Sequence, residues 1–139
     1  MGHTPLCSDG EACSVSKLIL VVDDNAFIRH SLYQLFTSQR DFDVCGEAEN
    51  GAEAIEKAQA LHPDVIVMDL SMPVMNGIDA ARTLKQLMPT VPIIMFSEYG
   101  DAFSENEARS AGVSALVSKS KNVSALLVEV RRFSGLIAA

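Results

Sequence analysis

Asp64-Val65-Ile66-Val67-Met68-Asp69-Leu70-Ser71-Met72-Pro73-Val74-Met75-Asn76-Gly77 decides the fold. Four consecutive apolar residues lead into a carboxylate, and the chain then turns through Pro73 and the Asn76-Gly77 pair. A short unbroken apolar run ended by turn formers reads as a strand buried on both faces, the kind found in parallel sheets covered by helices. The same pattern recurs outward in both directions. Leu18-Ile19-Leu20-Val21-Val22 ends in Asp23 and Asp24, Ile93-Ile94-Met95-Phe96 ends in Ser97, and Ala115-Leu116-Val117-Ser118 ends in Lys119. Asp43-Val44-Cys45-Gly46-Glu47-Ala48 supplies one further short strand.

Between these runs apolar residues recur at helical spacing. The first helix is predicted from Ala26 to about Ser38, with Ile28, Leu32, Leu35 and Phe36 on one face, and the second from about Ala52 to Leu61, after the Asn50-Gly51 turn. A third follows Asn76-Gly77 and carries Ile78, Ala81, Leu84 and Met88, with Pro89 and Pro92 bracketing the next turn. A fourth, from about Ala102 to Ala111, has a thin apolar stripe, and the last, from about Val123 to Phe133, has Asn122 placed as its N-cap. Strands alternating with helices predict an α/β fold with right-handed crossovers and a parallel sheet flanked by five helices. The carboxyl ends of such strands share one edge, where ligands bind. Residues distant in sequence should therefore converge on one small acidic crevice.

A chain of 139 residues has the size of one domain, able to bury roughly two-thirds of its unfolded surface. With 48% hydrophobic and 21% charged residues it reads as globular, and no apolar run approaches the roughly 20 residues that span a bilayer, so membrane insertion is not expected. A net charge of −7, with Arg131-Arg132 the one dense basic cluster, argues against direct nucleic-acid binding. Residues 1–16, rich in Ser, Gly, Pro and Cys, are predicted to be a disordered extension, residues 17–133 the folded domain, and residues 134–139 a tail. Cys7, Cys13 and Cys45 are odd in number without metal-like spacing, which together with the lack of a secretory signal predicts a reduced, cytoplasmic protein with Cys45 as a small buried hydrophobe. His3, His30 and His62 are isolated from one another and receive no catalytic or metal role, and the methionines read as packing.

The chemistry starts from three acids. Asp23 and Asp24 leave the first strand and Asp69 the third, so three carboxylates share a crevice where their repulsion is costly unless a cation offsets it. Magnesium, which takes oxygen ligands from one or two carboxylates and keeps several waters, is the natural occupant. Pro73 and Asn76-Gly77 shape a tight loop that can offer a backbone carbonyl, that of Ser71, to the metal. Lys119 adds a movable positive charge, and Ser97 a hydroxyl able to hydrogen-bond a phosphoryl oxygen. In that company a carboxylate can act as a nucleophile toward phosphorus, and Asp69 is the best placed.

These residues resemble the receiver domains of two-component response regulators. The resemblance covers about Lys17 to Phe133, on Val21-Val22-Asp23-Asp24-Asn25, Asp64 to Gly77, Ile93-Ile94-Met95-Phe96-Ser97 and Val117-Ser118-Lys119, in the family's order and spacing. It implies a flavodoxin-like, five-stranded parallel sheet in the order 2-1-3-4-5. It implies that Asp69 takes a phosphoryl group from a sensor histidine kinase or phosphotransfer protein. Magnesium would then be bound directly by Asp24, Asp69 and the Ser71 carbonyl, and by Asp23 through water. Ser97 and Lys119 would grip the phosphoryl oxygens, with Ser97 moving toward them as part of the switch. The domain would promote its own phosphorylation and dephosphorylation without being an enzyme toward other substrates, and would signal to an unknown output protein as a monomer or weak homodimer.

Three positions depart from the family pattern. Leu116 stands where an aromatic residue usually couples to the switch hydroxyl, Ser120 where a proline usually follows the lysine, and Glu98 where the residue after the hydroxyl is usually small. Leu116 and Glu98 suggest the rival reading, a receiver-like interaction module that does not use phosphorylation. A phosphatase is disfavoured because no second acid stands two positions after Asp69, where Ser71 lies. A stand-alone receiver, or one cut from a longer regulator, is expected, with the fourth helix, fifth strand and fifth helix as its contact surface.

Overall fold

A computed structural model describes residues 16–70, 72–97, 102–119 and 123–134, with the backbone alone for 102–105. Strands β1 (Lys17–Val22), β2 (Phe42–Ala48), β3 (Val65–Met68), β4 (Ile93–Ser97) and β5 (Ala115–Ser118) alternate with helices α1 (Ala26–Thr37), α2 (Gly51–Leu61), α3 (Gly77–Leu87), α4 (Ala102–Ser110) and α5 (Val123–Phe133). All neighbouring strands are parallel and run in the order β2-β1-β3-β4-β5.

Strand alternation divides the interior into two layers. Ile19, Val21, Val65, Val67, Ile94, Phe96 and Val117 meet Leu32 and Phe36 of α1 and Leu126 and Val130 of α5. On the other face Leu20, Val22, Ile66, Met68, Ile93 and Met95 meet the alanines of α2, Ile78 to Leu84 of α3 and Ala108 of α4. Burial on both faces is complete for β3 and β4, whose every residue is buried. The outer strands β2 and β5 are only half-buried, so their runs are apolar for less of their length. Each fully buried Leu, Ile or Phe contributes about 1.5–3 kcal/mol of transfer energy. Phe36 is one of them and meets Phe42 edge-on at 5.6 Å.

Three asparagines start the helices on the sheet's carboxyl edge. Asn25 accepts hydrogen bonds from the Phe27 and Ile28 amides, Asn50 from Glu53 and Asn76 from Asp79, each satisfying donors that a helix leaves open in its first turn. α2 begins at Gly51, one residue before the expected Ala52, and α3 closes at Leu87 with Met88 as its cap. Cys45 corrects an expectation: it is half-buried, at the point where the β1–β2 register slips between Ile19 and Leu20, and its free thiol is pushed above its usual pKa by burial. Asn122, Cys7, Cys13 and the disordered extension predicted for residues 1–16 lie outside the described residues, apart from Ser16.

Candidate functional site

Strand register builds the site. Val22 pairs with Met68, Met68 with Met95 and Met95 with Leu116, so these four stand at one level across the sheet. One residue further along stand Asp23 and Asp69, joined through the Asp69 amide, which donates to the Val22 carbonyl at 2.9 Å. Ser97 pairs with Ser118 at the top of β4 and β5, and the Lys119 amide donates to the Ser97 carbonyl at 2.8 Å. The polar residues thus meet because each strand ends at nearly the same height.

Asp23, Asp24 and Asp69 each place a carboxylate oxygen within 4.8 Å of the others. Asp23 and Asp69 are buried, at 2% and 7% exposure, while Asp24 is open to solvent. Lys119 lies between the two buried acids. Its Nζ is 2.8 Å from Asp23 Oδ2 and 3.5 Å from Asp69 Oδ1, with the ring of Phe96 6.0 Å beneath it. Asp23 Oδ1 accepts the Asn25 amide and Asp69 Oδ1 accepts the Leu70 amide. Ser97 is buried at the strand end.

The electrostatics follow from this crowding. Burial, and then the charge of Asp23, hold the Asp69 carboxyl above its ordinary pKa, against the opposing pull of Lys119. Burial works to lower Lys119, but the hydrogen bond to Asp23 and the charges of Asp69 and Asp23 outweigh it and leave the ammonium above its ordinary pKa. Asp69 is raised despite its cation because burial and the Asp23 charge outweigh the pull of Lys119, whose nearer partner is Asp23. One ammonium set among three carboxylates leaves the site negative and receptive to a further cation. The donor set is all oxygen, which suits a hard divalent ion such as magnesium.

The structure therefore brings Asp23, Asp24, Asp69 and Lys119 together, with Ser97 at the end of the neighbouring strand. Ser71, Glu98 and Ser120 lie outside the described residues. Leu116 packs, partly buried, against the α2–α4 layer. Nothing in the sequence marked Arg29. It reaches back from α1 to donate from Nη1 to the Asp23 carbonyl at 2.8 Å and from Nε to Glu47 Oε1 at 3.2 Å. The available signal was its place one helical turn after Asn25, whose carbonyl accepts the Arg29 amide. A cleft of about 500 Å³ lined by His62, Pro63, Leu87, Met88 and Val91 sits where α2 and α3 end, away from this rim.

Comparison with known proteins gives a consistent result. The model of the response regulator receiver domain family matches residues 19–131. The chain is 41% identical over 105 residues to the chemotaxis protein CheY of Thermotoga maritima, covering 76% of this chain and 87% of that protein. It is 51% identical over 78 residues to a protein-glutamate methylesterase/protein-glutamine glutaminase of Methanosarcina acetivorans, covering 56% of this chain. That alignment takes in only 22% of the methylesterase, so the match spans about a fifth of that relative's length. Among solved structures, a CheX-CheY-BeF3-Mg complex from Borrelia burgdorferi aligns with a TM-score of 0.79 at 26% identity, covering 88% of this chain and 90% of that one.

Proposed function

We propose that this chain, which belongs to the response regulator receiver domain family, is a phosphoacceptor in two-component signalling, with residues 17–133 as the receiver unit and Asp69 as the residue phosphorylated. The observation that carries the reading is the buried acid pair Asp23 and Asp69 sharing the Lys119 ammonium, with Asp24 open beside them. Asp24, Asp69 and the Ser71 carbonyl would hold magnesium, with Asp23 acting through water. When bound, magnesium supplies positive charge that screens an incoming phosphoryl group from the carboxylates. Support comes from the Borrelia relative, whose complex contains BeF3 and Mg.

The protein's own residues divide the remaining work. An Asp69 carboxylate oxygen attacks phosphorus on a phosphohistidine of a sensor kinase or phosphotransfer protein. The new O–P bond forms as the P–N bond breaks, and its electron pair leaves with the imidazole, which is neutral once its ring carries one proton, already on the other nitrogen or taken from solvent. The product is an acyl phosphate on Asp69. Lys119, already within reach of Asp69, turns to the phosphoryl oxygens, and the Ser97 hydroxyl donates to one of them. Hydrolysis reverses the state when water attacks phosphorus and the carboxylate leaves. The domain thus acts on its own side chain and is not an enzyme toward other substrates. The added charge biases two arrangements of the α4–β5–α5 face, and that difference is read by an output protein. The chain works in the cytoplasm, where sensor kinases present their phosphohistidine, as a monomer or weak homodimer.

The test is incubation with acetyl phosphate and magnesium, followed by intact-protein mass spectrometry. One phosphoryl group is expected on the wild type and none on Asp69→Asn. An unmodified wild type, or a gain that persists in Asp69→Asn, overturns the reading in favour of an interaction module that leaves its acidic crevice unused.

A further inference from the structure

We infer that Arg29 is a positioning residue, whose guanidinium clamps the β1–α1 turn so that Asp24 presents its carboxylate to the cation. The inference rests on the reading of the acidic rim given above. Asp23 is held at every polar group. Its amide donates to the Ala48 carbonyl, its carboxylate meets Lys119 and the Asn25 amide, and its carbonyl accepts Arg29 Nη1 at 2.8 Å. Asp24 is different: it is exposed, and its side chain makes no hydrogen bond among the described residues. Its aim is therefore set by the peptide that joins it to Asp23. That peptide's oxygen is the atom Arg29 grips.

The grip is itself oriented. Arg29 Nε donates to Glu47 Oε1 at 3.2 Å, the Arg29 side chain is only 15% exposed, and the Glu47 carbonyl accepts Lys57 Nζ from α2. A planar fork spanning the Asp23 carbonyl, just past β1, and a β2 carboxylate ties α1 to the ends of the two strands at the rim, and an ammonium cannot reproduce this two-point fit. Glu47 also offsets the Arg29 charge.

These facts give a test in which charge and position predict opposite signs. Removing a cation near a cation site should tighten metal binding if charge alone matters. Loss of the clamp should weaken it, by about tenfold, as for other residues that orient metal ligands from behind. Magnesium titration by calorimetry of the full chain is expected to show this loss in Arg29→Gln with the helical circular dichroism retained, and a smaller loss in Glu47→Gln. Saturating magnesium should restore the wild-type rate of phosphoryl uptake from acetyl phosphate, since Asp69 itself is untouched.

Affinity equal to or tighter than wild type in Arg29→Gln, or uptake that stays slow at saturating magnesium, overturns the inference. If Arg29→Gln does not fold, Arg29→Lys decides: it keeps the charge and loses the fork, so weakened binding supports the clamp and wild-type affinity removes it. A wild type that binds magnesium but accepts no phosphoryl group removes the proposed function while leaving the clamp to be judged by affinity. A wild type without magnesium affinity removes both.

Discussion

Replacing Lys119 with Met keeps the length and apolar stem of the side chain and removes only its charge. At 2.8 Å from Asp23 and 3.5 Å from Asp69, the ammonium interacts with the two carboxylates by about 6 and about 5 kcal/mol at an effective dielectric of 20. Drying and pinning an ammonium that is only 13% exposed offsets most of this. What dominates is the state left behind, two buried acids without a counter-ion, and breaking a buried pair in this way costs about 3 kcal/mol. In magnesium-free buffer at pH 7, urea unfolding should show the midpoint falling by about 2 M for a slope of about 1.5 kcal/mol per M. Magnesium should then recover more stability in Lys119→Met than in the wild type, because the metal no longer competes with the ammonium; at 100 times its dissociation constant it adds about 2.7 kcal/mol. The pH dependence has a definite sign. The folded-state pKa of Lys119 is raised, so its contribution is fully present below the ordinary lysine value and is lost as pH rises through the folded value, where variant and wild type converge. Equal stability of the two proteins without magnesium, or a deficit that magnesium leaves unchanged, would refute the reasoning.

Two other substitutions should raise stability. Burial and Asp23 lift the pKa of Asp69, so its ionised form disfavours the fold at neutral pH; Asp69→Asn should be more stable than wild type at pH 7, and the gain should fade as pH falls through the folded-state pKa, checked by unfolding at a series of pH values. Val74 is 83% exposed with φ of 68°, a left-handed conformation that a β-branched residue adopts at a cost, and the Met75 amide closes the turn onto the Pro73 carbonyl. Val74→Gly relieves about 1–2 kcal/mol of strain and gives back about 0.5–1 kcal/mol in chain entropy, so the urea midpoint should rise with an unchanged slope; a fall would show that the turn is not strained.

The alternation of apolar runs and helical segments made the sheet and its five helices legible, because burial on both faces leaves little freedom in β1, β3 and β4. The convergence of Asp23, Asp24, Asp69 and Lys119 was equally legible, since strands of a parallel sheet must end on a common edge. Local geometry was not. That Lys119 favours Asp23 over Asp69 is a matter of 0.7 Å, the difference between 2.8 and 3.5 Å, and no spacing rule resolves it. The partial burial of Cys45 goes with a register slip that short strands do not announce. Arg29 looked like any charged residue on a helix, because one partner is a backbone carbonyl six residues earlier and the other, Glu47, lies eighteen residues on, in another strand. Val74 carried no turn signal, since the left-handed position fell on a residue type that avoids it.

The paired Asn-Gly sequences carry a last consequence, for the protein's ageing. Spontaneous deamidation proceeds when the nitrogen after an asparagine attacks that asparagine's own side-chain carbon, and glycine is the least obstructive successor. Here both nitrogens are engaged: Gly51 donates to the Met75 carbonyl at 2.9 Å and Gly77 to the Leu70 carbonyl at 2.8 Å. Both amide side chains are also occupied, on Glu53 and Asp79. Ring closure therefore has to wait until the start of α2 or α3 unravels. The slow appearance of aspartate or isoaspartate at Asn50 and Asn76 becomes a chemical record of how often those helix beginnings open.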